Sequence, residues 1–330
     1  MFLLSDDQFF YQESLRQSLA TFKERNYLID GLLYEHSALM IYAADGLGKS
    51  TLILQLCLEA SSGSNVYGVF KTKKPLRILW VMTERHPIEI LERIRQMEGM
   101  ININYDNFAL TTEIQGTNLL NRTQFDSSVE TLAKRVLQME YIDIIVIDPI
   151  YAIVAGGLGK DENDSHVTRF STILQNKFNC SCIFLHHPNR GIKDRESGER
   201  YGEDMYGGRF LSAHFTGIYH LIKSRVANGC RFEREKNSHQ NLVEGFDLSY
   251  DTDSYISTIK DDSMLKRDRL LIELRRLKVS EEWFELPVLA KSLDFSTQYL
   301  YKLFSRELKD DVKKHPNSNK RKTLYKYIGM

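Results

Sequence analysis

The chain has 330 residues with 44 Lys/Arg and 44 Asp/Glu, so its formal net charge is zero, and 42% of its residues are hydrophobic. This composition excludes a fibrous or disordered protein and allows one large domain with a substantial core plus a small one. The sequence has no basic-then-apolar leader and no apolar stretch of membrane-spanning length. We therefore expect a soluble protein with no membrane partner, cytoplasmic in a bacterial or virus-infected cell.

The first predicted element is an amphipathic helix within residues 1–24, a candidate subunit-docking arm. An apolar run, Ala38 to Tyr42, then predicts a strand, and Thr51 to Ala60 predicts a helix. Between them, residues 43–51 read Ala-Ala-Asp-Gly-Leu-Gly-Lys-Ser-Thr. This is the phosphate-binding P-loop pattern G-x-x-x-x-G-K-[ST], except that Ala43 occupies the first glycine position. Strand, loop and helix are the context that the motif requires.

A P-loop predicts binding of ATP and Mg²⁺, because backbone N–H groups of the loop and of the helix N-terminus surround phosphate charge. Lys49 would reach the β- and γ-phosphates, and the Ser50 hydroxyl would coordinate Mg²⁺. Ala43 must avoid the positive φ angle that glycine tolerates. The predicted phosphate-binding residues are Ala44, Asp45, Gly46, Leu47, Gly48, Lys49, Ser50 and Thr51.

Beyond the P-loop, short β-like runs alternate with helical segments, which predicts an α/β fold with a mostly parallel sheet and helices on both faces. The later runs are separated only by turns and predict an antiparallel extension of the sheet. In chain order the segments are Arg77–Thr83 (strand), Pro87–Glu98 (helix), 123–139 (helix), Ile142–Ile147 (strand), Val167–Phe178 (helix), Cys180–Leu185 (strand), and the short strands Gly217–Lys223, Cys230–Lys236, Leu242–Leu248 and Tyr255–Lys260.

Polar residues follow several of these strands, at the sheet edge where ligand sites form in α/β proteins. Asp148 ends the most apolar run, a Walker B arrangement that holds Mg²⁺. Glu84 follows the strand beginning at Arg77 and is our candidate general base for water; a helix-capping glutamate is the alternative. One of His186 and His187 could sense the γ-phosphate, and a pair satisfied by backbone carbonyls is an equal alternative.

In this order, the motifs resemble the RecA-like P-loop ATPases of the RepA/DnaB-type replicative helicase group. The resemblance covers roughly residues 25–260 and implies a RecA-like ATPase domain over 25–262. It also implies a ring, in which ATP lies between neighbouring subunits of a hexamer. The segments that carry it, besides the P-loop, are Tyr27-Leu28-Ile29-Asp30-Gly31-Leu32-Leu33, Thr83-Glu84 with Arg93, Ile147-Asp148-Pro149 and Leu185-His186-His187-Pro188-Asn189.

Carried over, the resemblance implies catalytic roles for Lys49, Glu84, His186 or His187 and Lys236, and metal binding by Ser50 and Asp148. Family members commonly have Lys-x-Arg on a late strand, facing the neighbour's γ-phosphate. Here Lys236 is present, but Ser238 stands where arginine is expected. Either Arg209, Arg234 or a partner protein supplies the missing charge, or turnover is weak.

The resemblance also implies that loops at about 154–166 and 188–206 contact single-stranded DNA in the channel of the ring. The second loop is basic and glycine-containing, but five acidic residues also lie in it, so a plain solvated loop remains an alternative. Its candidate phosphate contacts are Arg190, Lys193, Arg195 and Arg200.

Positive charge is concentrated in residues 263–330, which contain 16 Lys/Arg and 9 Asp/Glu. Predicted helices at 264–278, Glu285–Ser292 and Gln298–Leu308, followed by a hairpin, resemble a winged helix that binds duplex DNA or a protein. The candidate DNA contacts are Lys302, Arg306, Lys320, Arg321 and Lys322.

The sequence thus predicts a Mg²⁺-dependent ATPase acting on DNA, first of all a ring-forming helicase or translocase in replication. Replication or recombination proteins would be its partners. One alternative is a recombinase-type or mediator ATPase on single-stranded DNA. The other is a nonmotor, ATP-dependent DNA-binding regulator. The unusual Ser238 favours these alternatives, whereas the complete set of Lys49, Glu84 and Asp148 favours a working ATPase.

Overall fold

The computed structural model describes residues 26–44, 46–155, 158, 161–187, 192–193, 200–201, 209–224, 228–237, 242–259, 263–279, 282–293, 295–306, 308–309, 311–315 and 323–328. The helix predicted within 1–24 lies outside these residues. Of Lys193, Arg200, Arg209 and Arg306, the backbone is described without the side chain. The other predicted residues that lie outside are Asp45, Arg190, Arg195, Ser238, Lys320, Arg321 and Lys322.

A nine-stranded sheet with the order β13-β12-β11-β10-β3-β7-β6-β4-β5 forms the centre of the fold. From β10 to β5 all neighbouring strands are parallel, and β11 to β13 extend the sheet antiparallel. Two ribbons, β1-β2 and β8-β9, lie outside this sheet. The strands are β1 (Tyr27–Ile29), β2 (Leu33–Tyr34), β3 (Ala38–Ala43), β4 (Ile78–Met82), β5 (Phe108–Thr111), β6 (Ile144–Asp148), β7 (Ser181–His186), β8 (Ile192–Lys193), β9 (Arg200–Tyr201), β10 (Gly217–Lys223), β11 (Gly229–Asn237), β12 (Gly245–Tyr250) and β13 (Ser257–Ile259).

Helices cover both faces of this sheet, as the alternation of elements predicts. Strand residues point alternately to the two faces, so Ile41 joins one hydrophobic core and Met40 the other. The first core includes α1 and α2, and the second includes α3, α4 and α5. Within the described residues, no helix is long and apolar enough to cross a membrane. The helices are α1 (Lys49–Ser61), α2 (Pro87–Met97), α3 (Arg122–Gln138), α4 (Asp161–Phe178) and α5 (Arg209–His214).

Three features of the sheet and its helices differ from the sequence-based expectation. Strand β5 was missed because Phe108–Thr111 is a short edge strand with mostly half-buried side chains, so it lacks a clear apolar pattern. Strand β10 belongs to the parallel part of the sheet through its pairing with β3. Helix α4 begins at Asp161 and not at Val167, since acidic residues in its first turn suit the positive end of the helix dipole.

The C-terminal segment forms a separate hydrophobic cluster around three helices and a small antiparallel sheet with the order β14-β16-β15. Its core contains Leu274, Leu286, Leu300, Phe304 and Tyr325. Strand β14, between the first two helices, has only two residues and was not expected. The elements are α6 (Ser263–Val279), β14 (Phe284–Glu285), α7 (Leu286–Leu293), α8 (Thr297–Arg306), β15 (Val312–Lys314) and β16 (Leu324–Tyr327).

Buried polar groups tie helix α1 to strand β13. The Gln55 side-chain amide donates to Ser257 O (2.9 Å) and accepts from Ser257 N (2.8 Å). Gln55 also donates to Glu59, whose other oxygen accepts from the backbone N–H of Tyr67 at 2.7 Å. Burial raises the pKa of Glu59 to about 7, and these two hydrogen bonds oppose the rise. A carboxyl group that ionises near neutrality is therefore built into the helix that follows the P-loop.

We expect Glu59 to make folding stability depend on pH. Because its folded-state pKa of about 7 lies above the ordinary 4.5, the folded chain binds more protons than the unfolded chain between these values. Its contribution to stability is complete below about pH 4.5 and falls by about 3 kcal/mol as pH rises through 7. Urea unfolding from pH 5 to 8 should show a steeper decline for the wild type than for Glu59→Gln. Equal slopes would contradict the assignment.

Candidate active site

Four neighbouring parallel strands deliver the predicted site residues to one edge of the sheet. Strands β3, β7, β6 and β4 are adjacent in this order, and all run in the same direction. Their register places Met82 beside Asp148 and Tyr42 beside His186. The P-loop after β3, Glu84 after β4, Asp148 and the two histidines therefore meet at the carboxyl edge, as predicted for an α/β ligand site.

The backbone of the P-loop accounts for the alanine at its start. Ala43 is the last residue of β3 and does not have a positive φ angle, so glycine is not required there. Positive φ occurs instead at Gly46 (84°) and Gly48 (80°), and α1 begins at the next residue, Lys49. A Cβ atom at either glycine would meet nothing within 4 Å, so the loop borders open space. This backbone fits the close approach of phosphate oxygens.

Ser50 and Asp148 form an oxygen pair beside Lys49. The Ser50 hydroxyl hydrogen-bonds to the Asp148 carboxylate. Burial raises the pKa of Asp148, and the Ser50 hydrogen bond and the charge of Lys49 oppose that rise. Hydroxyl and carboxylate oxygens are the ligands that Mg²⁺ accepts, together with phosphate oxygens and water. The pair fits Mg²⁺ held with ATP, and across the described residues no cluster of three or more His, Cys, Asp or Glu side chains could hold a metal ion without a substrate.

A cleft of about 340 Å³ lies over these residues. His187 lines it, whereas His186 is buried and does not, so the structure separates the two candidate sensors. Leu47 packs against the first hydrophobic core and also does not line the cleft. The predicted residues that the cleft brings together are Ala44, Gly46, Gly48, Lys49, Ser50, Thr51, Glu84, Asp148 and His187.

Lys236 lies away from the cleft of its own chain. Its ammonium group donates to the carbonyl oxygens of Ala213 (3.0 Å) and Phe215 (2.9 Å), and also to that of Ser212. Partial burial lowers its pKa. Lys236 thus caps the C-terminal end of α5, where a cation is favourable. Arg234, one of the proposed substitutes for the missing arginine, lies 3.7 Å from Glu244 and donates to the Leu242 carbonyl.

Several residues of the cleft were not assigned a site role from the sequence. Arg85 pairs with Glu89 at 2.8 Å, and Arg93 approaches the same Glu89 oxygen at 3.9 Å. Opposite them, Tyr250 and Tyr255 line the cleft with ring centroids 5.8 Å apart. Arg85 could have been noticed because it follows Glu84 directly. The tyrosines carry no such signal, since only the antiparallel part of the sheet brings them to the P-loop.

The two predicted DNA loops are described in part. In the first, residues 161–166 belong to α4, and its opening turn carries Asp161, Glu162 and Asp164. These acidic side chains would repel a phosphate backbone, so this part of the prediction gains no support from the structure. In the second, β8 and β9 form a ribbon whose register pairs Lys193 with Arg200. Two basic residues of the predicted loop are therefore cross-strand neighbours.

The sequence of residues 7–191, more than half of the chain, matches the AAA domain family. The chain belongs to this family. Among solved structures, the chain is similar to the ATPase domain of a DnaB-like helicase, with a TM-score of 0.54 and 12% identity, over 76% of this chain and 97% of that one. A KaiC-like protein, PH0186 from Pyrococcus horikoshii OT3, gives a TM-score of 0.49 and 13% identity over 71% and 94%. No curated protein sequence matches significantly.

These comparisons and the sheet topology confirm the predicted RecA-like P-loop core. The match to the AAA domain family covers the P-loop, Glu84 and Asp148. The structural match agrees with the mostly parallel sheet between helices. The fold and the nucleotide-binding character of the chain follow from this agreement.

Replacing Lys49 with Ala should weaken ATP binding more than ADP binding, because the ammonium group is placed for the β- and γ-phosphates. The loss of a charged hydrogen bond predicts about 10- to 100-fold lower ATP affinity. Calorimetric titration with both nucleotides measures the difference. Lys134→Ala, an exposed lysine of α3, is the control and should bind like the wild type. Unchanged ATP affinity in Lys49→Ala would contradict the assignment.

Proposed function

We propose that the chain is a Mg²⁺-dependent ATPase that acts on DNA, as a ring-forming helicase or translocase of the RepA/DnaB type. One observation carries the proposal: Lys49, Glu84 and Asp148 come from three different strand ends and line a single cleft with the P-loop. Binding of phosphate alone would not need an exposed carboxylate opposite the loop. Hydrolysis does need a group that orients or deprotonates water.

In the proposed reaction, loop amides and Lys49 bind the phosphates, and Glu84 accepts a proton from the attacking water. Mg²⁺, held by Ser50 and through water by Asp148, neutralises charge that develops on the phosphate oxygens. Glu84 is exposed to the cleft, so its carboxylate is accessible to water. His187 borders the same cleft and is the better placed of the two histidines to contact the γ-phosphate.

Two arginines of the cleft support turnover without an arginine at position 238. Arg85 and Arg93 share one carboxylate, Glu89, so the three side chains together keep a positive charge. The charges of Arg93 and Arg85 also act on Asp148. We assign Arg85, next to Glu84, to the phosphate end of the substrate, where a guanidinium stabilises transition-state charge. Tyr250 and Tyr255 would provide an aromatic wall for the base.

The C-terminal segment supports the assignment to DNA. Its order of helices and strands, with β15 and β16 as a terminal hairpin, is that of a winged helix. Lys302 on α8 and Lys313 and Lys314 on β15 are exposed, and Tyr301 on α8 is 49% exposed. Basic side chains with an interleaved aromatic ring suit a phosphate backbone and exposed bases. Protein docking is the competing use of this unit.

A recombinase-type or regulatory ATPase is the second candidate, because the charge of Lys236 is bound to carbonyl groups of its own chain. ATP turnover with and without single-stranded DNA, together with native mass in each nucleotide state, separates the candidates. A hexamer that is stimulated by single strands and unwinds a tailed duplex supports the helicase. A filament or a nucleotide-switched oligomer without unwinding supports the second candidate. A monomer that is insensitive to DNA would exclude the ring-forming helicase.

Glu84→Gln should abolish turnover and leave nucleotide binding intact. The amide keeps the size of the side chain but cannot accept the proton of water, so kcat should fall by about 100-fold or more. Steady-state phosphate release and ATP titration measure the two effects. Glu92→Gln, an exposed glutamate of the same region on α2, should retain wild-type turnover. Retained turnover in Glu84→Gln would place the base elsewhere.

Replacing Lys313 and Lys314 together with Ala should weaken duplex DNA binding at all sequences. Each lost phosphate contact reduces the slope of log K against log salt by about 0.9, so the double variant should lose about 1.8. Fluorescence anisotropy between about 50 and 200 mM salt gives this slope. Lys291→Ala, on an exposed position of α7, is the control. Absence of DNA binding by the folded wild type would favour protein docking.

A further inference from the structure

Tyr151 contacts three residues of the proposed hydrolytic site. It lies on a 3₁₀ turn, Ile150–Ile153, which follows β6 and Pro149. Its hydroxyl donates a hydrogen bond to Glu84 Oε2 at 2.7 Å. Its ring centroid is 5.1 Å from that of His187 and 6.4 Å from that of His186. Tyr151 therefore joins the candidate base to both histidines from behind the wall of the cleft, which it does not itself line.

The fold fixes the backbone that carries Tyr151. Ile150 and Ile153, on either side of it, are fully buried in the second core. The Ile153 carbonyl accepts from Leu119 N at 2.9 Å, and the Tyr151 carbonyl accepts from Val154 N at 3.1 Å. Buried side chains and two backbone hydrogen bonds thus hold the turn on both sides of the ring. The position of the hydroxyl is set before any ligand contact is considered.

The strand end that carries Glu84 is joined to the same turn. Thr83 N donates to the Asp148 carbonyl at 3.0 Å, and the Thr83 hydroxyl donates to the Pro149 carbonyl. Thr83 is buried, whereas Glu84 is exposed. The backbone on both sides of the Tyr151–Glu84 hydrogen bond is therefore rigidly connected. Only the glutamate side chain itself has rotational freedom.

We propose that Tyr151 is a positioning residue for hydrolysis, which holds one oxygen of Glu84 so that the other faces the attacking water. The inference rests on the proposed function of Glu84 as the base. An exposed glutamate otherwise samples several rotamers, and ordering it costs free energy at each turnover. A fixed hydrogen bond removes that cost, and correct orientation is a large part of rate enhancement. The ring contact with His187 places this hydrogen bond next to the proposed γ-phosphate contact.

Tyr151→Phe tests the proposal, because it removes only the hydroxyl and keeps the ring against the histidines. The expected result is a fall in kcat of about 10-fold, as for the loss of one hydrogen bond to a charged group, with KM for ATP, ATP affinity and melting temperature unchanged. Tyr105→Phe is a matched control. Its hydroxyl donates to Glu98 Oε1 at 2.8 Å, another exposed Tyr–Glu pair, outside the cleft. This variant should keep the wild-type kcat.

A double-mutant cycle shows whether Tyr151 acts through Glu84. In the Glu84→Gln background, the Tyr151→Phe change should cause no further fall in residual turnover, because the carboxylate that it positions is gone. A purely structural role would lower turnover equally in both backgrounds and would lower the melting temperature. Either of these results, or a wild-type kcat in Tyr151→Phe, would overturn the inference and leave the proposed ATPase intact. A wild type that binds ATP without turning it over would overturn both.

Discussion

The close packing of negative charge against negative charge is the constraint on which the site depends. Asp148 is placed where burial disfavours its ionised form, beside the loop that must receive phosphates. Burying a carboxylate is costly unless it is paired or hydrogen-bonded. The Ser50 hydrogen bond and the charges of Lys49, Arg93 and Arg85 supply this compensation. The carboxyl edge of the sheet is therefore organised by cations drawn from α1 and from the segment around α2.

The same arrangement explains why the two halves of the sheet are needed. The parallel strands deliver the P-loop and the carboxylates, whereas the antiparallel extension brings Tyr250 and Tyr255 to the cleft. Gln55 joins these parts through two hydrogen bonds between α1 and Ser257, close to the tyrosine turn. The helix that begins at the P-loop thus also holds the aromatic side of the cleft. A shift of α1 on nucleotide binding would be felt directly by β13.

The accuracy of the sequence-based predictions follows the range of the interactions involved. The P-loop, Glu84 and Asp148 were found because each lies in a contiguous motif after an apolar strand, and parallel strands must end at one edge. Strand β5 and the two-residue strands were missed because short edge strands have no clear period. The contacts of Tyr151 and Tyr250 depend on tertiary packing. Spacing along the chain could not separate His186 from His187 either, since burial of one decides between them.

The placement of positive charge bears on how turnover would depend on a neighbouring subunit. In the proposed function, a ring needs a cation that crosses the subunit boundary, and Lys236 is the residue that the resemblance assigns to it. The Lys236 ammonium group instead satisfies carbonyl groups at the end of α5, and moving it would leave those groups without that donor. Arg85 already lies beside Glu84 in the same chain. A site that carries its own guanidinium has less need of one from its neighbour, so assembly would tune turnover more than complete the site.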